Sequence, residues 1–148
     1  RGNVKLKVWM EPGAAYVPAY AHDGDAAMDL RSTGAHVVLP GGIAAVRTGV
    51  HAEIPEGYVG LQFPRSGLGL RGINLANCVG VIDSGFRGEI LAEVKNNTSE
   101  PFEIRPGDRV CQLAVVPVER CEVSLAGSLA DLSRSERGER GYGSTGVE

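Results

Sequence analysis

The chain has 148 residues, 43% of them hydrophobic, and a formal net charge of −3. That is enough for one globular domain with a core and too little for two. The acidic balance argues against polymeric nucleic acid as a partner, and the absence of a bilayer-length apolar run argues against a membrane. Cys78, Cys111 and Cys121 form an odd set without a C-x-x-C pair, which disfavours a disulfide framework or zinc ribbon. They are expected to be small buried hydrophobes in a reduced, cytoplasmic protein.

Strand patterns dominate in chain order: residues 4–10 (VKLKVWM), 36–40, 43–55, 58–63, 89–96, 102–104 and 109–118. Gly, Pro and Asn clusters separate them, including Pro12-Gly13, Asn96-Asn97 and Pro106-Gly107. Many short strands with such punctuation indicate a sandwich, jelly roll or small barrel. Only 66–72 and 124–134 offer helix. The second is serine-rich and weakly periodic, so it reads as a tether leading to the glycine-rich end.

Five stretches carry chemistry. HDGDAAMDLRS (22–32) holds three aspartates, but their spacing is not that of a calcium loop. Asp29 is expected to enter a strand. His22, His36 and His51 have no ligand spacing and are expected to be structural or solvent-facing. In PRSG (64–67), Arg65 can fork onto phosphate oxygens, and the N–H groups after Ser66 open a possible helical turn. An ordinary strand-to-turn corner fits the same four residues.

NCVGVIDSGFRGEI (77–90) ends an apolar run at Asp83, with Ser84-Gly85 as a natural hairpin tip. Asn77 offers an amide suited to a base edge, and Phe86 a ring beside a carboxylate. A turn aspartate with a core phenylalanine is the plainer alternative. GDRVCQL (107–113) reads as a hairpin entry in which Asp108 and Arg109 could pair, with Gln112 facing core or site. RGERGYGSTG (137–146) is too rich in glycine for regular structure. It nevertheless carries Arg137, Arg140, Ser144, Thr145 and Tyr142, chemistry suited to gripping a nucleotide. No P-loop, dinucleotide fingerprint or metalloprotease motif is present.

Each stretch is weak alone, but their order is specific. AMDLRS, PRSG, NCVGVIDSGFRGE, RPGDRVCQL and RGERGYGSTG closely resemble the five ordered motifs of the homotrimeric deoxyuridine triphosphatase (dUTPase) family. The resemblance covers nearly the whole chain. It implies an all-β, jelly-roll-like β-barrel with at most one short helix. It places the barrel at 1–123, a tether at 124–136 and a flexible arm at 137–148. It also implies a trimer with sites shared between subunits. Motifs one, two and four would come from one chain, the third from a second, and the arm from the remaining one.

The implied reaction is hydrolysis of dUTP to dUMP and pyrophosphate, with Mg²⁺ on the triphosphate. This would limit uracil in DNA and supply dUMP for dTTP synthesis. Asp83 would activate the water that attacks the α-phosphorus. Asn77, with the backbone of Gly80, Val81 and Ile82, would read uracil, and Phe86 would stack on deoxyribose. Arg65, Ser66, Gly67 and Gln112 would hold phosphates and the attacking water. Asp29 would act on the metal through water. From the arm, Tyr142 would stack on the base, and Arg137, Gly143, Ser144 and Thr145 would grip the outer phosphates. An arm that needs the γ-phosphate to close makes dUDP a poor substrate.

The chain departs from the family pattern in four places: Phe86 replaces a usual tyrosine, Arg140 and Ala27 replace glycines, and the segment from Pro64 to Asp83 is one residue short. Two rival readings remain. A dCTP deaminase-like enzyme would need a glutamate base such as Glu89, and a nucleotide-responsive regulator would bind without hydrolysis.

Overall fold

The structure, a computed structural model, describes residues 3–143, 145 and 146. Among these the chain forms strands β1 (Lys7–Met10), β2 (Met28–Arg31), β3 (His36–Val38), β4 (Ile43–Glu53) and β5 (Tyr58–Phe63). Helix α1 (Ser66–Gly69) follows, then β6 (Ile73–Leu75), β7 (Gly80–Ile82), β8 (Glu89–Asn96), β9 (Phe102–Ile104) and β10 (Arg109–Pro117). Two four-stranded sheets, ordered β1-β4-β8-β6 and β2-β10-β5-β7, enclose one core, and β3 pairs with β9 beside them. This is the all-β, jelly-roll-like architecture that the family resemblance implies, one of the three that the strand pattern leaves open.

Alternation builds the core. Along β8, Ile90, Ala92, Val94 and Asn96 are buried, while Glu89, Leu91, Glu93 and Lys95 turn outward or lie half-buried, as a strand with one covered face requires. In β4 the register against β8 shifts between Arg47 and His51. Gly49 sits at the shift with φ +69°, and a Cβ there would lie 2.4 Å from the Ala14 Cβ. Only glycine combines that backbone with that approach.

Asn96 is fully buried yet satisfied. Its Nδ2 donates to the carbonyls of Val38 (2.9 Å) and Glu100 (2.7 Å), and its Oδ1 accepts from the Thr98 N–H (2.9 Å) and hydroxyl (2.7 Å). It ties β8 to β3 and to the loop leading into β9.

Several expectations are revised. The two three-residue strands β6 and β7 escape the sequence pattern. Only four residues of 66–72 are helical, and 124–134 holds no more than a 3-10 turn at Leu129–Asp131. Ser84-Gly85 is not the tip of a hairpin, because β7 pairs with β5 whereas β8 pairs with β4 and β6. The turn carries the chain from one sheet to the other. Cys111 is buried as expected, but Cys78 and Cys121 are exposed, because neither lies on the core face of a strand. Burial pushes the Cys111 thiol up to about 12, so it is inert near neutral pH.

Removing the Asn96 amide strands the buried Val38 carbonyl and takes a partner from two part-buried groups, the Glu100 carbonyl and the Thr98 N–H. Asn96→Ala is expected to lower unfolding stability by about 3 kcal/mol, measured by urea denaturation. A change below about 1 kcal/mol would show that the amide is dispensable.

Candidate active site

The first site is an arginine pocket on the solvent face of the β2-β10-β5-β7 sheet. Antiparallel register places Asp29 of β2 opposite Gln112 of β10, and Gln112 opposite Phe63 of β5. Their side chains therefore share one face. The facing row, Leu113 and Gln62, turns into the core. Strict alternation from Gln112 would bury Arg109. A register shift between Arg109 and Cys111 prevents this. It lets Val110 and Cys111 both enter the core and returns Arg109 to the outer face.

Asp29 then bridges two guanidinium groups: Arg65 Nε lies 3.4 Å from one carboxylate oxygen and Arg109 Nε 3.3 Å from the other. Two cations against one carboxylate leave this cluster locally positive, although Asp25, whose carboxylate accepts from the His22 N–H (2.8 Å), balances the charge of the whole lining. The pocket encloses about 560 Å³ and is completed by Ser66, Gly67 and the loop bearing His22 and Asp25. Gln112 Nε2 donates to the Pro64 carbonyl (3.0 Å), which fixes the corner before Arg65. In α1 the first N–H groups to find helical carbonyls are those of Gly69 and Leu70. The N–H groups of Ser66 and Gly67 precede them at the open start of the turn. Arg109 was missed as a site residue. Its expected partner Asp108 instead accepts from the Arg105 N–H (2.8 Å), within the turn before β10.

The second site is a seam pocket of about 270 Å³, where edge strand β7 meets β8 of the other sheet. Asn77, Gly80, Val81, Ile82, Asp83 and Phe86 all line it. Gln62 forms its wall and pins the sheets together, since its Nε2 donates to the Leu91 carbonyl (3.0 Å). A Cβ on Gly80 would lie 2.5 Å from Gln62 Oε1, so glycine is required for this close fit. Asp83 is exposed, and its carboxylate makes no ion pair among the described residues. Its carbonyl accepts from the Phe86 N–H (3.1 Å), closing a tight turn. The Phe86 ring lies back over Gly88, where a Cβ would come within 2.5 Å of Cζ.

The two pockets share no lining residue. The sequence-predicted residues thus gather into two groups on different surfaces of one chain. The arm joins neither. Arg137, Tyr142, Gly143 and Thr145 are exposed, and Ser144 lies outside the described residues. Arg137 and Arg140 fold onto each other's backbone, with Nε of each donating to the other's carbonyl at 2.7 and 3.0 Å. Arg140 therefore braces a local turn. Among the described residues the arginine pocket has no group of three side chains placed to ligate a metal directly. Water-separated contact suits Asp29, because direct coordination would set the ion against two neighbouring guanidinium charges.

The chain is similar to known proteins over nearly its whole length. The dUTPase family profile matches residues 14–146. The chain is 40% identical over 147 residues to the deoxyuridine 5'-triphosphate nucleotidohydrolase of Alkaliphilus metalliredigens, covering 99% of each chain. It is 44% identical over 148 residues to that of Mycobacterium marinum, covering 97% of this chain and 96% of the relative. Among solved structures it is similar to the dUTPase of Staphylococcus bacteriophage 80alpha, a G164S mutant with dUpNHpp. There the TM-score is 0.89 at 29% identity, over 98% of this chain and 100% of the phage chain. It is also similar to a dUTPase mutant of phage phi11, described with a structural Mg(II) ion. In that case the TM-score is 0.78 at 27% identity, over 85% and 99% of the two chains. Since profile and relatives run almost end to end through both pockets and the arm, the chain belongs to the dUTPase family.

Proposed function

We propose that the chain hydrolyses dUTP to dUMP and pyrophosphate in sites assembled from more than one copy. The observation that carries this reading is the separation of two complementary half-sites. The arginine pocket has the charge and the open N–H groups for phosphates. The seam pocket has a ring, an amide and a free carboxylate for a nucleoside and a water. One chain presents them on different surfaces, so a neighbour must supply the missing half, which suits a trimer of shared sites. Half-buried Val59, Leu61 and Val116, with Val81 at 65% exposure, give the solvent face of that sheet an apolar patch suited to subunit contact.

In the assembled site, Asn77 and the backbone of β7 pair with the uracil edge. Cytosine reverses donor and acceptor there and leaves buried groups unpaired. Phe86 packs on the deoxyribose and leaves no room for a 2′-hydroxyl. Asp83 accepts a proton from the attacking water as its oxygen bonds to the α-phosphorus. The bond from that phosphorus to the bridging oxygen breaks, and pyrophosphate leaves. Arg65, Ser66, Gly67 and Gln112 hold the phosphate oxygens, so catalysis rests on positioning and charge neutralisation. Arg109 joins them through its shared pairing with Asp29. Asp29 would hold Mg²⁺ through water, and that ion supplies further neutralisation of phosphate charge. The arm closes over the site, with Tyr142 on the base and Arg137, Gly143, Ser144 and Thr145 on the outer phosphates. A reducing compartment suits the three free thiols.

Pyrophosphate release is expected from dUTP and not from dCTP, dTTP or UTP. Asp83→Asn should lower kcat by about 10²-fold or more while a non-hydrolysable dUTP analogue still binds. Full activity in that variant would remove Asp83 from the chemistry.

Shared sites make a separate prediction. Asp83→Asn and Arg65→Ala damage different halves. When equal amounts are unfolded and refolded together, about a quarter of sites combine two intact halves. Activity should therefore rise well above that of either variant alone. Activity equal to the average of the two would mean that each chain carries its own complete site.

A further inference from the structure

The register shift in β4 does more than accommodate Gly49. It places Arg47 and His51 beside Glu89, a residue that lines the seam pocket. Arg47 grips Glu89 with Nε at 3.0 Å and Nη2 at 2.8 Å from Oε1. This holds the Glu89 carboxyl below its ordinary range. Glu11, from the segment after β1, reaches the same group of residues, 3.8 Å from Arg47. The ring of Trp9 meets that of His51 edge to face, with centroids 4.9 Å apart.

His51 has an acceptor at each ring nitrogen. Nδ1 lies 2.7 Å from the Arg87 carbonyl oxygen, and Nε2 lies 2.8 Å from Glu11 Oε1. A neutral imidazole has one N–H and one lone pair, so it can donate to only one of these oxygens. The imidazolium donates to both, and on deprotonation the Glu11 carboxylate, a stronger acceptor than a carbonyl, keeps the remaining N–H and leaves the Nδ1 lone pair against the Arg87 oxygen. The Arg87 carbonyl is not a peripheral partner. It ends the turn that carries Asp83 and Phe86, and no ladder between β7 and β8 holds that turn. Its other ties are the Phe86 N–H to the Asp83 carbonyl (3.1 Å) and the Arg87 guanidinium contacts to the Ser84 carbonyl (2.7 Å), the Phe86 carbonyl (3.0 Å) and Glu53 (3.3 Å).

We propose that protonated His51 is a positioning residue that holds the turn bearing Asp83 and Phe86 through the Arg87 carbonyl, so that dUTP affinity weakens as His51 loses its proton. The inference rests on the dUTP-hydrolysing reading above. The charged groups facing His51 are Glu11 and Glu89 on one side of the balance and Arg47 and Arg87 on the other. The hydrogen bond to Arg87 first, and that to Glu11 next, raise the imidazole above its ordinary value of 6.5. The folded pKa exceeds the unfolded one. The brace is therefore complete below about pH 6.5, persists above it, and is lost as pH rises through the raised value.

Trp9 is the sole tryptophan, and an imidazolium quenches an adjacent indole, so its emission reports this one protonation. Emission of the wild type is expected to rise with a midpoint above pH 6.5, and His51→Gln should abolish that transition. Over the same range, the ratio of the KM values for dUTP in His51→Gln and wild type cancels the titration of the substrate itself. That ratio should be about three- to tenfold at pH 6 and fall towards one by pH 9, with kcat changed little. Glu11→Gln, which preserves shape, should move both the emission and KM midpoints to lower pH together, and it serves if His51→Gln does not fold. A pH-independent ratio in an active enzyme would overturn the role of His51 alone, as would an emission transition shared by His51→Gln. A wild type that releases no pyrophosphate from dUTP at any pH would overturn the hydrolase reading and the proposal with it.

Discussion

Strand β10 is hydrogen-bonded on both edges, and the geometry of the arginine pocket follows from that constraint. Its ladders to β2 and β5 align Asp29, Gln112 and Phe63 in one row. A slip of one residue would exchange Gln112 with Leu113, placing an amide in the core and a leucine among the arginines. Both outcomes are costly, so the hydrophobic pattern that folds the sheet also sets the site. The local shift at Val110 is the point where the β10 register against β2 breaks. It reconciles two buried residues in succession with an arginine that must face out.

The join between the sheets depends on a few buried polar groups. Asn96 both donates and accepts inside the core, and Gln62 donates its Nε2 to the Leu91 carbonyl of the other sheet. Such groups add little net stability when paired and cost much when a partner is lost. They make the seam specific in position rather than unusually strong. Gln62 belongs at once to the core and to the wall of the seam pocket, so the shape of that pocket is inherited from sheet packing.

Contiguous features were legible in the sequence. The long strands β4, β5, β8 and β10 have enough residues to show alternation, and the five ordered motifs indicate the family because each is a short unbroken run. What was not legible depends on contacts between distant segments. β6 and β7 are three residues each and lie in a stretch broken by Gly72, Asn74, Asn77 and Gly80, which reads locally as turn. Arg109 was assigned to its neighbour Asp108, because only sheet register and the shift at Val110 bring it to Asp29. His51 appeared to be an isolated histidine, since Glu11 lies 40 residues away along the chain. The turn at Ser84-Gly85 had the composition of a hairpin, and local composition does not say which sheet the next strand joins.

The segment after the barrel has a different relation to stability. Every described residue from 119 to 146 is exposed, so none contributes a side chain to the core. The body of the protein is indifferent to what happens there. Sequence drift or trimming by a protease along this stretch leaves the thermodynamic foundation of the fold untouched. The sequence of this stretch is therefore free of the constraints that packing places on the sheets.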